Sequence, residues 1–185
     1  MLSASSGTVA GRSTRSLGLM EARIVPIAEE YATSFHECLD VVAREKRYLA
    51  QIEAPPLERV RSFVRESVAN DCAQFVALVG GRVVGWADIF PAWPPAIAHC
   101  GGLGMGVLPE YRRRGIGTRL LGSCISKAQT KGITRIELEV RGDNSAAIRL
   151  YEQFGFVREA VKERGMRFDG VYYDSVLMSL VKHEA

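Results

Sequence analysis

The sequence predicts a single α/β domain around a mostly antiparallel sheet, and three observations favour this fold. The chain has 185 residues, of which 47% are hydrophobic, enough for one sizeable core. Short alternating apolar runs flank Gly80-Gly81 and Asp169-Gly170, dipeptides that are typical of β-hairpin turns. Between these runs, apolar residues recur at i, i+3 and i+4, which indicates helices that alternate with the strands.

The predicted order of elements is β-α-α-β-β-β-α-β-α-β-β. The strands are predicted at 22–27, 74–79, 82–90, 99–107 and 135–140, with two more flanking Asp169-Gly170. The helices are predicted at 28–42, 57–68, 116–128 and 144–154. Glycines within the strand at 99–107 predict that it is weak or bulged.

Composition and charge exclude several classes of protein. The net charge of +3 is small and spread along the chain, unlike the concentrated basic surface of a nucleic-acid binder. No apolar run approaches the roughly 18 residues of a membrane span. The four cysteines lack metal-ligand spacing, which favours reduced thiols and a cytoplasmic protein. Residues 1–20, rich in Ser, Gly and Thr, are expected to be a disordered tail rather than a transit peptide, with the domain at 21–185.

The most informative motif is the run from Arg112 to Thr118. Three arginines precede Gly115 and Gly117, and a helical pattern begins directly afterwards. Free backbone N–H groups at a helix N-terminus bind anions, and the arginines add charge suited to phosphate. The run therefore predicts a pyrophosphate cradle for a large cofactor. A solvated surface turn is the alternative interpretation of the arginines.

Placed between a strand and a helix, this run resembles the signature of the GNAT N-acetyltransferase superfamily, which is Arg or Gln, two residues, Gly, one residue, then Gly or Ala. Arg112, Gly115 and Gly117 match it. The segment from Asn144 to Phe156 is similar to the closing helix of that family. The resemblance spans roughly 21–180, with detailed matches at 103–156. It implies an acetyltransferase domain with a sheet splayed at the cofactor site, acetyl-CoA as the donor, and no metal.

The resemblance also implies roles for individual residues. The strand ending at Val107 would pair with the pantetheine arm as if the cofactor were an added strand, and the Val107 N–H would stabilise the oxyanion. Tyr151 would protonate the departing thiolate, although it could instead be a core aromatic, and Asn144 could be only an N-cap. The implied cofactor-binding residues are Met105, Gly106, Val107, Arg112, Arg113, Arg114, Gly115, Ile116, Gly117, Thr118, Asn144 and Tyr151.

The general base is less clear from the sequence. A lysine-like amine has a pKa of about 10.4, so its attack on a thioester requires a base or a depressed pKa. Many family members place a carboxylate on the strand before the cofactor-binding segment, where this chain has Gly101-Gly102. His99 and Glu139 are the first candidates. Glu137 and Asp88 are alternatives on neighbouring strands.

The acceptor is predicted to be the amine of a small or amino-acid-like molecule, because the expected rim of the site is aromatic and of mixed charge. The same aromatics could instead pack the last hairpin or form a homodimer contact. The alternatives for the function are a protein N-terminal or lysine acetyltransferase and a non-catalytic acyl-CoA-binding module. The rim aromatics are Tyr48, Phe90, Trp93, Tyr172 and Tyr173.

Overall fold

The computed structural model describes residues 21–182, so the predicted tail at 1–20 lies outside the described residues. The strands are β1 (Arg23–Pro26), β2 (Ala73–Val79), β3 (Arg82–Pro91), β4 (Cys100–Val107), β5 (Arg135–Arg141), β6 (Val157–Phe168) and β7 (Val171–Val181). The helices are α1 (Ala32–Arg44), α2 (Leu57–Ala69), α3 (Ile116–Thr130) and α4 (Ser145–Gln153). The predicted order of elements is confirmed. Within 21–182, no helix is long and apolar enough to cross a bilayer.

The strands form one mixed sheet in the order β1-β2-β3-β4-β5-β7-β6. Every neighbouring pair is antiparallel except β4 and β5. These two parallel strands pair only through residues 100–102 and 135–137, and they separate beyond Gly102 and Glu137. The sheet is therefore mostly antiparallel and splayed at its centre, as predicted.

Helices cover both faces of the sheet around β3 and β4. Phe35 of α1 packs edge-on against Trp86 of β3, with ring centroids 5.7 Å apart. On the opposite face, a Cβ built on Gly85 would lie 3.4 Å from Leu120 of α3. Because consecutive strand residues point to opposite faces, α1 and α3 lie on opposite sides of the sheet. The core consequently lies in two layers, one on each face of the sheet. The connection between α1 and α2 lies on the same face as α1.

The two predicted hairpin turns have the left-handed backbone that such turns require. Gly80 and Gly81 have φ of 57° and 81°, and Asp169 and Gly170 have φ of 46° and 86°. Positive φ at both central residues is the property of a type I′ turn, which matches the twist of the flanking strands. The dipeptides in the sequence therefore identified both turns correctly.

The prediction of a bulge in β4 was wrong. Its register with β3 is continuous from Gly85–Val107 to Pro91–Gly101, and the shifts occur instead in the β2–β3 pairing, where Val84 of β3 is the extra residue, and in the β6–β7 pairing. The glycines of β4 provide space rather than a bend. A Cβ on Gly106 would collide with the Trp86 ring, and one on Gly104 would lie 2.8 Å from Asp88 Oδ1.

All four cysteines are free thiols. Cys38 and Cys124 are buried in the core, and burial raises the pKa of the Cys38 thiol to about 12 and that of Cys124 further. A thiol with a raised pKa is a poor nucleophile at neutral pH. Both residues therefore act as small apolar core residues.

Candidate active site

A cavity of about 1460 Å³ opens where β4 and β5 separate. One wall is formed by β4, the opposite wall by β5 and α4, and the start of α3 closes one end. Segment 47–51, between α1 and α2, forms part of the rim. This volume exceeds that of ordinary small-ligand sites, so it leaves room for both a large donor and an acceptor.

The edge of β4 that faces the cavity has unpaired backbone groups. The Leu108 N–H donates to the Val84 carbonyl at 2.9 Å, so even-numbered residues of β4 direct their peptide groups to β3. The odd-numbered residues direct theirs towards β5, whose pairing with β4 ends at Gly102. The N–H groups of Met105 and Val107 therefore face the cleft. Gly106 instead pairs with Trp86.

The turn before α3 presents backbone donors to the same cavity. Gly115 is the N-cap of α3 in the left-handed region, with φ of 73°, and no side chain caps this end. The first intrahelical bond runs from the Arg119 N–H to the Gly115 carbonyl at 3.2 Å. The preceding N–H groups of Ile116, Gly117 and Thr118 are therefore without helical partners. Together with the helix dipole, these groups make this end of α3 suitable for an anion.

The three arginines of the motif have different environments. The Arg112 guanidinium forms an ion pair with Glu45, and its Nε donates to the Val107 carbonyl at 2.8 Å. Arg112 thus braces the turn, and three of its five N–H groups are occupied by Glu45 and Val107. Arg114 stacks over Tyr111 with 5.4 Å between its Cζ and the ring centroid. Arg113 lines the cavity, and no ion pair within 21–182 includes it.

Two predicted residues of the α4 region border the cavity from the other side. Tyr151 is buried, its ring is 5.7 Å from that of Phe156, and burial raises the pKa of its hydroxyl to about 12. No side-chain hydrogen bond among the described residues uses this hydroxyl. Asn144 is the N-cap, and its Oδ1 accepts from the Ala147 N–H at 3.2 Å. The Asn144 Nδ2 remains available to a ligand.

The two first candidates for the base have unfavourable surroundings. His99 lies in the turn before β4, is exposed, and is not among the residues around the cavity. Glu139 borders the cavity, but Ser175 Oγ donates to it and Lys162 Nζ lies 3.3 Å away. Glu137, an alternative, is bound to Arg135 at 2.5 Å. The structure therefore places His99 outside the lining of the cavity.

Asp88 is the carboxylate that sequence reasoning underrated. It lies on β3 directly opposite Gly104, borders the cavity, and has its Oδ1 over the place where a Gly104 side chain would be. Burial raises the pKa of this carboxyl to about 7, and the Gly104 backbone amide offsets only part of that effect. The signal in the sequence was one acid within the otherwise apolar run from Val83 to Phe90.

The predicted aromatic rim is only partly present. Phe90 and Tyr48 border the cavity, and Phe90 packs against Phe63 with ring centroids 5.1 Å apart. Trp93 is 92% exposed and lies outside the cavity. Tyr173 instead covers the buried Arg141 guanidinium, whose Cζ is 4.1 Å from the ring centroid. That arginine, which sequence reasoning missed, also binds Asp143 through two hydrogen bonds.

Comparison with known proteins identifies the family. The model of the acetyltransferase (GNAT) family matches residues 30–156. The chain belongs to this family. A ribosomal protein bS18-alanine N-acetyltransferase from Salmonella typhimurium is 36% identical over 72 residues, 39% of this chain and 49% of the relative. The L-amino acid N-acetyltransferase AaaT of Escherichia coli is 32% identical over 110 residues, 59% of this chain and 68% of the relative.

This GNAT chain thus spans about half the length of the ribosomal-protein relative that it matches. Solved structures agree with the fold. A GNAT-family acetyltransferase from Streptococcus pneumoniae has a TM-score of 0.81 at 26% identity, covering 88% of this chain and all of that one. The acetyltransferase yncA of Salmonella typhimurium, solved with acetyl-CoA, has a TM-score of 0.83 at 17% identity, covering 89% and 96%. The second likeness concerns the fold alone.

Proposed function

We propose that this protein is an acetyl-CoA-dependent N-acetyltransferase that transfers the acetyl group directly to the primary amine of a small, amino-acid-like acceptor. One observation carries the proposal. The unpaired edge of β4 leads directly into the uncapped N-terminus of α3, and Tyr151 faces the same cavity. A strand edge suits an amide-bearing arm, and a helix N-terminus suits a pyrophosphate. Coenzyme A has both parts.

The residues present fit this donor. A Cβ on Gly115 would meet nothing within 4 Å, and Gly115 instead supplies the left-handed φ that starts the cradle. The N–H groups of residues 116–118 and the free charge of Arg113 would hold the pyrophosphate. The N–H groups of Met105 and Val107 would bind the pantetheine arm and polarise the thioester carbonyl. Such preorganised donors stabilise the oxyanion that forms during acyl transfer.

Tyr151 would assist the departure of the thiolate. With its pKa raised to about 12, the hydroxyl stays protonated at every pH at which the protein would work. A thiol has a pKa of about 8.5. Complete proton transfer from Tyr151 to a free thiolate would therefore be unfavourable by roughly three pKa units. Its role is therefore donation of a hydrogen bond to the sulfur as the C–S bond breaks. The attack makes the second proton of the amine more acidic, and this proton is transferred to the sulfur to form the thiol.

The size and charge of the acceptor side support a small amine. The AaaT relative is named for L-amino acids, and the cavity rim carries Arg47 and Arg59 on the side of α1 and α2. No ion pair within 21–182 occupies either arginine. These cations would suit the carboxylate of an amino acid whose ammonium group enters the cavity.

A protein N-terminus is the second candidate, and the bS18-alanine relatives favour it. An N-terminal residue presents the same ammonium group without a free α-carboxylate. The two candidates therefore differ in whether a negative group next to the amine improves binding.

A substrate panel tests the proposal. The purified protein is mixed with acetyl-CoA and with each L-amino acid, each L-amino acid amide, and hexapeptides beginning with Ala, Ser or Met, and thiol release is measured. We expect turnover with amino acids, and a higher KM for the matching amides. Faster turnover of hexapeptides would overturn the small-molecule assignment. Tight acetyl-CoA binding by calorimetry without turnover of any amine would support the binding-only module.

A further inference from the structure

We propose that Asp88 is the catalytic residue that receives the ammonium group of the acceptor and takes its proton. The proposal rests on the proposed function, because it concerns the same amine. It replaces the two candidates that the sequence ranked first. Asp88 belongs to β3, one strand away from the strand that would hold the donor.

The position of Asp88 follows from the register of three strands. Gln74 of β2, Asp88 of β3 and Gly104 of β4 are directly opposite one another across the sheet. Directly opposite residues direct their side chains to the same face. Because Gly104 has no side chain, the Asp88 carboxylate extends over β4, and its Oδ1 would be 2.8 Å from a Cβ there. It therefore reaches the cavity beside the unpaired edge of β4.

The glycines of β4 make this reach possible. Gly102, Gly104 and Gly106 alternate along the same face of β4, opposite Phe90, Asp88 and Trp86. No atom lies within 4 Å of a Cβ built on Gly102. The face of β4 on the α1 side therefore carries no side chains of its own in this stretch. Trp86 and Asp88 of β3 cover Gly106 and Gly104, and the space over Gly102 is open to an acceptor. The acid on β3 takes the place that a β4 carboxylate would otherwise fill.

The surroundings of Asp88 contain no charge partner, unlike those of Glu139. The groups beside it on this face are the Gln74 amide across β2 and the backbone of Gly104 across β4, and no ion pair among residues 21–182 includes Asp88. Arg59 from α2 and Arg112 from the turn before α3 border the cavity, but neither forms an ion pair with Asp88. Burial therefore raises the pKa of Asp88 to about 7, a range in which a base works best.

A second, independent feature lies beside the carboxylate. Gln74 is fully buried, and neither its Nε2 nor its Oε1 has a hydrogen-bond partner among the described residues. Ser67 Oγ is likewise buried without a hydrogen-bond partner among the described residues. Ser67 is held near the start of β2, because its carbonyl accepts a hydrogen bond from the N–H of Cys72, the residue before that strand. Buried polar groups without partners usually bind water. The Gln74 amide is thus placed to orient Asp88 through a water, as a positioning residue.

The proton balance of the step is simple. The acceptor enters as an ammonium ion, and Asp88 takes one proton, leaving a neutral amine and a neutral carboxylic acid. The amine nitrogen forms a bond to the acetyl carbon, and the C–S bond breaks. The second proton of the nitrogen goes to the sulfur, so the products are an amide and a thiol. Asp88 then releases its proton to water.

The test compares the protein with its Asp88→Asn variant, using the fastest amino acid of the substrate panel. We expect a loss on the order of 10²-fold in kcat/KM at pH 7, with acetyl-CoA affinity by calorimetry unchanged. In the wild type, kcat/KM plotted against pH should fall below pH 7 as Asp88 becomes protonated. In Asp88→Asn this acidic limb should be absent, and kcat/KM should rise with pH as the fraction of unprotonated amine increases. Gln74→Leu should shift the wild-type limb while keeping turnover.

Asp71→Asn is the matched control, because it makes the same change at an exposed acid outside the cavity. It should keep the wild-type profile. Retained turnover with an unaltered profile in Asp88→Asn would overturn the assignment of Asp88 and leave the proposed function intact. No turnover of any amine by the wild-type protein would overturn both. A ¹³C titration of the Asp88 carboxyl that gives a pKa near 4 would overturn the assignment alone.

Discussion

The guanidinium of Arg112 and the carboxylate of Glu45 form a two-point ion pair that joins the end of α1 to the turn before α3. The two residues are 67 positions apart in the chain. Arg112 also donates to the carbonyl of Val107, where β4 ends. One side chain therefore links the end of α1, the end of β4 and the turn before α3.

The first prediction concerns this pair. Glu45→Gln and Arg112→Gln should each lower the free energy of unfolding by about 1.5 kcal/mol, because a charged hydrogen bond is lost. Both variants should bind acetyl-CoA more weakly, since the turn is less well held. The measurements are chemical denaturation and calorimetry. If Glu45→Gln instead tightens binding while Arg112→Gln weakens it, Arg112 is a direct phosphate ligand.

The second prediction concerns Tyr151. Tyr151→Phe should reduce kcat on the order of 10²-fold, because the hydrogen bond to the departing sulfur is lost. The dissociation constant for acetyl-CoA should stay the same. Tyr31→Phe, which removes a hydroxyl outside the cavity, serves as the control and should match the wild type. Equal activity of Tyr151→Phe and wild type would exclude the hydroxyl from the reaction.

The third prediction compares two glycines of the motif. Gly115→Ala should lower the free energy of unfolding by about 1 kcal/mol, because an L-residue is strained at φ of 73°. Gly117→Ala should leave it unchanged or raise it, since its Cβ would make ordinary contacts with Leu150 at 3.4 Å and Met105 at 3.5 Å. Thermal unfolding of both variants without ligand checks this. Equal losses at both positions would contradict it.

The fourth prediction uses the raised pKa of Asp88. Between its unfolded value of 3.8 and its folded value of about 7, the native state binds more protons than the unfolded state. Stability should therefore fall as pH rises through this window. The Asp88→Asn variant does not lose stability in this window. Its free energy of unfolding should therefore exceed that of the wild type by nearly zero at pH 4 and by up to roughly 4 kcal/mol at pH 8. A difference in unfolding free energy that does not vary with pH would contradict this.

The sequence predicted those features whose cause is local. The hairpins at Gly80-Gly81 and Asp169-Gly170, the helix after Gly115 and the N-cap at Asn144 each depend on a few neighbouring residues. The family motif extended this to the donor side of the cavity. Local patterns and the family motif were therefore sufficient to predict the sheet and its central splay.

Features that depend on register and on distant contacts were not predictable. Nothing near Arg112 in the chain shows that Glu45 will occupy its donors. The choice among acids required the knowledge that Asp88 is opposite Gly104, whereas Glu139 is bound by Ser175. The glycines of β4 were interpreted as the sign of a weak or bulged strand, because space for a neighbouring strand's side chain gives the same local signal.

Because the glycines of β4 contribute no side chains to the acceptor side of the proposed site, substitutions that alter the acceptor can occur separately from substitutions that alter the donor site. In the proposed site, main-chain groups of β4 and of the turn before α3 would hold most of the donor, and a substitution on β3 leaves these groups in place. The acceptor would meet the side chains of Trp86, Asp88 and Phe90, which belong to β3. Outer positions such as Phe90 can therefore vary to admit new amines at little cost to the donor site. A chain built in this way can change its substrate while keeping its chemistry.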